Sequence, residues 1–234
     1  MIKVYPYSEL GHADHGWLDA RHHFSFASYY NPDRHQFGTL RVINDDRIAA
    51  GAGFGTHPHN NMEIITYVRS GAISHRDSMG NEGRTVAGDV QVMSAGAGVT
   101  HSEFNQEKVD TTLYQIWITP NARDVKPRWE TETFPKEPVE NELALLVSGY
   151  AEDKDKGALY IHQNATIHGG RLKQGTSLNH PIRRQAYILA SQGSIQVGDQ
   201  VLQQGDGAEV TDMSSLPITA LSDAELLVID VPVA

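Results

Sequence analysis

The chain has 234 residues, enough for one large domain or two small ones at the usual roughly 100–150 residues each. It carries 19 Lys and Arg against 29 Asp and Glu, a formal charge of −10 with histidine neutral, so phosphate backbones and anionic membrane have no electrostatic claim on it. Cysteine is absent, which excludes disulfides, thiolate metal sites, iron–sulfur clusters and cysteine nucleophiles. Apolar runs fall far short of the roughly 20 residues that span a bilayer. Met1-Ile2-Lys3-Val4-Tyr5-Pro6 lacks the charged-then-apolar layout of a signal peptide. The expectation is a soluble cytoplasmic protein without direct nucleic-acid or membrane contact.

In chain order, Leu40–Ile43, Asn44-Asp45-Asp46 and Arg47–Ala50 read as strand, turn, strand, because Asn and Asp tolerate tight-turn geometry. Met62–Arg69 is β-branched and aromatic and ends at Ser70-Gly71. Ala72–His75 is a further short strand before a Met79-Gly80-Asn81 turn, and Val90–Met93 and Leu113–Thr119 follow. Many short strands without a long helical stripe predict an all-β barrel or sandwich. Between Trp129 and Leu143 the chain mixes Glu130, Glu132, Glu137, Glu140 and Glu142 with Pro135 and Pro138, the composition of a linker or exposed edge.

Strands then resume and echo the first half. Tyr187–Ala190 resembles Tyr67–Ser70, and Gly205-Asp206 resembles Gly88-Asp89, the pattern of one β-unit repeated.

Of the 12 histidines, nine lie within the first 101 residues. Without cysteine, a transition-metal site must be built from imidazole and carboxylate, and this half holds the imidazole. His57 and His59 flank Pro58, and their i, i+2 spacing on extended chain puts both on one face. His101 and Glu103 repeat that spacing 42 residues after His59. Two such pairs can meet inside a barrel and present three nitrogens and one oxygen to a cation. The glycines of Gly51–Gly55 and Gly96–Gly98 have no Lys-Ser/Thr after them, so they suit close backbone approach, not phosphate binding. The ungapped echo places Ser177 and Asn179 where His57 and His59 stand, and Ile218 and Ala220 where His101 and Glu103 stand. A second barrel without a metal site is expected. His12, His15, His22, His23, His35, His75, His162, His168 and His180 read as packing or surface groups.

At these residues the sequence resembles the cupin superfamily and, more closely, its pirin branch. Gly51, His57, His59 and Glu63 fit the first cupin motif; the second is met only partly, with Ser94 where proline is usual. The pirin resemblance rests on Gly16–Asp19, His23–Ala27, Tyr29–Pro32, Phe54–His59, His75–Gly80 and Ser94–Gly98 through Glu103, and within the branch it is similar to bacterial members that degrade quercetin-type flavonols. It implies an all-β bicupin of two tandem jelly-roll-like barrels: a metal-binding domain at 1–128, a linker at 129–142 and a second cupin domain at 143–234. It also implies His57, His59, His101 and Glu103 as ligands, with Glu63, the generic cupin carboxylate, as a supporting or alternative one.

The donor set admits iron, copper, manganese, nickel or zinc, and iron is the first choice because the resemblance implies it. The implied reaction is dioxygenation: a flavonol binds through its 3-hydroxyl, Glu103 takes the proton, and O2 opens the ring across the 2,3 bond with loss of carbon monoxide. Phe24, Phe26, Phe54, Met93 and Trp117 are the expected apolar wall around a planar substrate. The alternative is a metal-bearing pirin-type regulator that binds a protein partner; a third is a cupin acting on another small enol.

Overall fold

Short β-branched and aromatic runs, cut by glycine, asparagine and aspartate, become strands throughout the computed structural model, which describes residues 1–233. They are β1 (Ile2–Tyr5), β2 (Gly11–Asp14), β3 (Leu18–His22), β4 (Leu40–Ile48), β5 (Gly53–His59) and β6 (Glu63–Ser70). Next come β7 (Ala72–Asp77), β8 (Glu82–Val86), β9 (Val90–Ser94), β10 (Val99–Phe104), β11 (Thr111–Ile118) and β12 (Arg128–Glu132). The later strands are β13 (Ala144–Ser148), β14 (Leu159–Tyr160), β15 (Thr166–Leu172), β16 (Ser177–Pro181) and β17 (Gln185–Gln192). The last are β18 (Ile195–Val197), β19 (Gln200–Leu202), β20 (Gly207–Val210), β21 (Ser215–Ala220) and β22 (Ala224–Val231). Among the described residues no helix is long and apolar enough to cross a membrane.

The chain divides into two compact units. Residues 11–134 and 159–163 make the front unit; residues 1–10, 135–158 and those from 164 onward make the back unit. In the front unit a large antiparallel sheet, ordered β12-β9-β6-β11-β4-β3-β2, accompanies a small one, β5-β10-β7-β8. The back unit repeats the plan, with β1-β20-β17-β22-β15-β13 and β16-β21-β18-β19. Each is a jelly-roll-like pair of sheets, the bicupin architecture expected.

Inside the back unit one continuous apolar cluster joins the two sheets, with Leu178, Ile188, Ile195, Ile218 and Val228 among its members. Each such residue, removed from water, contributes ~1.5–3 kcal/mol. The front unit is built differently. Leu18, Ile48, Val68, Ile73 and Leu113 form one cluster, and Ile64, Met93, Ala95 and Val99 another. Between them runs a polar row in strict register: Gln91 opposite Thr66, Thr66 opposite Gln115, Gln115 opposite Asn44, and Asn44 opposite His22. A buried polar row that interrupts a core weakens it unless every group is paired, so its presence marks a place where function overrides packing.

Three sequence expectations change. Asn44-Asp45-Asp46 is not a turn but the middle of the nine-residue strand β4, paired on both sides, by β11 and β3. Asp45 is held there by Arg69, whose guanidinium lies over the Tyr114 ring at 4.5 Å. The expected 129–142 linker contains most of β12, which pairs Trp129 with Met93 on the edge of the large sheet. Glutamates on an edge strand deter further pairing, and that is what gave the segment a linker's composition. Finally, β1 pairs with β20, so the first ten residues belong to the back unit.

Candidate metal centre

Strand register assembles the site. β10 lies between β5 and β7 and pairs His101 with His57 on one side and Asp77 on the other. Two residues on, Glu103 pairs with Phe54 and with His75. Directly opposed residues share a face, so all six side chains project to one side of the small sheet. The register slips between His101 and Glu103, where Gly55 and Thr56 together oppose Ser102. This bulge lets the Gly55 carbonyl accept a hydrogen bond from His57 Nδ1 at 2.7 Å. Gly53 permits the close approach of β5, since a Cβ there would lie 2.3 Å from the Glu103 carbonyl oxygen.

His57, His59 and His101 offer ring nitrogens that all lie within 4.8 Å of one another. With its Nδ1 donating to Gly55, His57 turns Nε2 inward, 3.0 Å from His101 Nε2. A second set consists of His75, His101 and Glu103. His101 Nδ1 is 3.4 Å from His75 Nδ1, and His75 Nε2 is 3.0 Å from Asp77 Oδ2. His101 therefore stands between the two groups. Sequence reasoning missed His75 as a site residue; its signal was a third i, i+2 pair of ligand-type residues, His75 and Asp77, inside the His75–Gly80 motif.

Burial, then the neighbouring His57, lowers the His59 pKa to about 4; burial, then His57, His59 and His75, lowers that of His101 to about 3. Both rings are neutral at pH 7, the form that coordinates metal. Glu103 is 1 % exposed, and burial raises its pKa to about 7 against the opposing hydrogen bonds of Gln91, Gln115 and Thr66. Its oxygens accept from Gln91 Nε2 at 2.6 Å and Gln115 Nε2 at 2.7 Å. Those two amides belong to the polar row, which explains why the row exists. Glu63 is engaged elsewhere: it accepts from Ser94 Oγ at 2.7 Å and meets His162 Nδ1 at 3.3 Å, and it belongs to neither histidine set.

A cavity of about 430 Å³ opens beside His57 and His59, walled by Trp17, Leu18, Phe26, Phe54 and Trp117. Asn44, Asp46, His22 and Gln115 supply its polar members. Burial, reinforced by Asp45 and Glu103, pushes the Asp46 carboxyl well above the usual range. Phe24 and Met93, expected in this wall, are in the core instead. Phe24 is 1 % exposed with the Arg34 guanidinium over its ring, and Met93 packs with Ile64, Ala95 and Val99. Met93 shares the face of Gln91 on β9 but sits opposite Ile64, away from the cavity, and the short segment carrying Phe24 gave no period to read.

Three imidazoles converging within coordination range, with a buried carboxylate grouped with one of them, fit a divalent transition ion and suit neither an all-oxygen magnesium or calcium site nor soft Cu(I). Jelly-roll-like sheets carrying such a cluster on one inner face define a cupin. The comparisons agree: residues 4–118 match the Pirin family model, and residues 145–231 match the quercetinase C-terminal cupin domain. The chain belongs to the pirin family. It is 48% identical over 232 residues to a pirin-like protein of Caulobacter vibrioides, covering 98% of this chain and 99% of that one. It is 41% identical over 235 residues to the quercetin 2,3-dioxygenase of Escherichia coli K12, covering 99% of both. The crystal structure of the bacterial pirin YhhW from Escherichia coli in complex with nickel(II) superposes with a TM-score of 0.92 at 40% identity, covering 100% of both chains.

Proposed function

We propose that this chain is a metal-dependent dioxygenase that opens a flavonol ring with O2. The observation that carries this is the convergence of His57, His59 and His101, all within 4.8 Å, at the side of an apolar cavity large enough for a planar aromatic molecule. The names of the Escherichia coli relatives support it, and their nickel complex supports a divalent ion. His57, His59 and His101 would hold the ion, with Glu103 as the fourth donor and iron as the first choice of metal. When bound, such an ion acidifies a coordinated enol or phenol hydroxyl.

Residues of the chain do the rest. Phe26, Phe54 and Trp117 wall the cavity and exclude water from the reacting ring. Trp117 also packs edge-on against His59, with centroids 5.0 Å apart and planes at 86°, and so fixes that imidazole relative to the substrate. Glu103 would accept the hydroxyl proton on loosening from the ion, acting as the positioned base. Gln91 and Gln115 keep it aimed.

The test is to load the purified protein separately with iron, nickel, manganese, copper and zinc, and follow flavonol absorbance together with oxygen uptake. Turnover with at least one metal is expected, and Glu103→Gln should lower kcat by about 10²–10⁴-fold, the usual contribution of a positioned base. No turnover with any metal, despite tight metal binding, would remove the dioxygenase reading and leave the regulatory one.

A further inference from the structure

The geometry points to His75 and Asp77 as a tautomer-setting relay that holds the His101 proton on Nδ1 and leaves Nε2 free for the metal. This inference rests on the metal site proposed above but concerns residues outside its donor set.

The chain of contacts runs in one direction. Asp77 Oδ1 accepts from the backbone N–H groups of Met79 and Asn81, at 2.9 and 3.0 Å, and Oδ2 accepts from Asn81 Nδ2 at 2.9 Å. Three donors therefore fix the carboxylate. Its Oδ2 also meets His75 Nε2 at 3.0 Å. A carboxylate only accepts, so the His75 proton sits on Nε2 and its Nδ1 carries a lone pair. That lone pair faces His101 Nδ1 at 3.4 Å, which must then be the donor. The remaining nitrogen of His101, Nε2, points a lone pair at His57 Nε2, 3.0 Å away. His57 reaches the same state through Gly55. A proton shared between the two Nε2 atoms, or a cation in its place, satisfies that contact.

The relay is mechanically supported. The His75 and Asp77 side chains are both fully buried. The His75 ring stacks on Trp129 with centroids 4.8 Å apart and planes at 8°. Trp129 in turn lies against Gly83, where a Cβ would fall 2.2 Å from its ring. Histidine ligands of metals commonly donate their second N–H to such a partner, and removing it costs roughly 10–100-fold in affinity. Here the partner is a second imidazole, with the carboxylate one step further out.

Asp77→Asn tests this with little change of shape. The amide oxygen must still serve the two backbone donors, so its NH₂ faces His75 Nε2 and Asn81, whose own amide turns its oxygen to accept, and the relay reverses: His75 becomes protonated on Nδ1, and His101 on Nε2. Nitrogen-15 imidazole spectra of the metal-free protein should show His101 protonated on Nδ1 in the wild type and on Nε2 in D77N. Competition with a chelator for zinc should show about 10–100-fold weaker binding in D77N, with wild-type-like circular dichroism. His75→Gln should weaken zinc binding comparably. Should D77N lose native structure, the wild-type spectrum alone decides, since Nε2 protonation of His101 would overturn the relay. An unchanged tautomer and affinity in folded D77N, or a His75 resonance that shifts as a direct zinc ligand, would also overturn it. If the wild type binds no zinc, the metal-site reading fails, while the metal-free spectra still judge the relay.

Discussion

The two units share a plan and differ in what fills it. In the front unit β10 pairs His101 with His57 and Glu103 with His75. In the back unit the corresponding strand, β21, pairs Ile218 with Leu178 and Ala220 with Ile195. All four back-unit residues belong to one apolar cluster. The same positions thus hold a polar, ligand-rich constellation in one unit and ordinary core in the other. The back unit shows what this architecture does when stability alone is served, and the front unit shows what a site displaces. In the front unit the row Gln91, Thr66, Gln115, Asn44 and His22 lies between two apolar clusters.

Exchange of the filling is the strongest way to break this comparison. The double substitution His57→Leu, His101→Ile gives the front unit the back unit's residues. It should remove about 5 kcal/mol or more of metal-binding free energy, given roughly 10–16 kcal/mol for a four-donor site. The metal-free variant should be no less stable than the wild type, and more stable by about 0.5–2 kcal/mol if the site residues are held against packing; isothermal titration and denaturant unfolding check the two halves. The converse change is Ile218→Ala, 1 % exposed in the wild type. It should cost ~2–5 kcal/mol of stability through the cavity it leaves and leave metal affinity intact.

Buried histidines with lowered pKa values occur in both units, and the back unit's pair gives a pH effect free of the metal ligands. In the back unit His168 and His180 lie with ring centroids 4.6 Å apart. Burial, then His180, lowers the His168 pKa to about 3, and burial lowers that of His180 to about 4. An unfolded histidine takes up its proton near pH 6.5, while these stay neutral when folded, so the unfolded state binds more protons below that pH. Stability should therefore fall as pH drops from about 6.5 towards 4, by up to ~1.4 kcal/mol per pH unit for each ring. His180→Leu should flatten that slope in denaturant titrations; an unchanged slope would mean that the rings titrate normally.

Much of this was legible in the sequence. The i, i+2 pairs His57/His59 and His101/Glu103, the strand punctuation and the repeat of the β-unit all report local geometry, which period and turn chemistry encode. What was not legible depends on pairing between distant strands. The ungapped echo set Ser177 against His57, whereas pairing sets Leu178 there, because the back unit's connection to its next strand is one residue shorter. His75 gave only an i, i+2 pair with Asp77 in a short strand; its meaning comes from lying opposite Glu103. Gln91 and Gln115 each interrupt an apolar strand, and that signal acquires a purpose only when both amides are seen to converge on one buried carboxylate.

X-ray absorption of the wild-type protein loaded with one divalent ion tests the central claim most directly. The account predicts a single ion per chain with three imidazole donors, lost in the His57→Leu, His101→Ile protein. An ion with fewer imidazoles, or one retained unchanged in that variant, would contradict it.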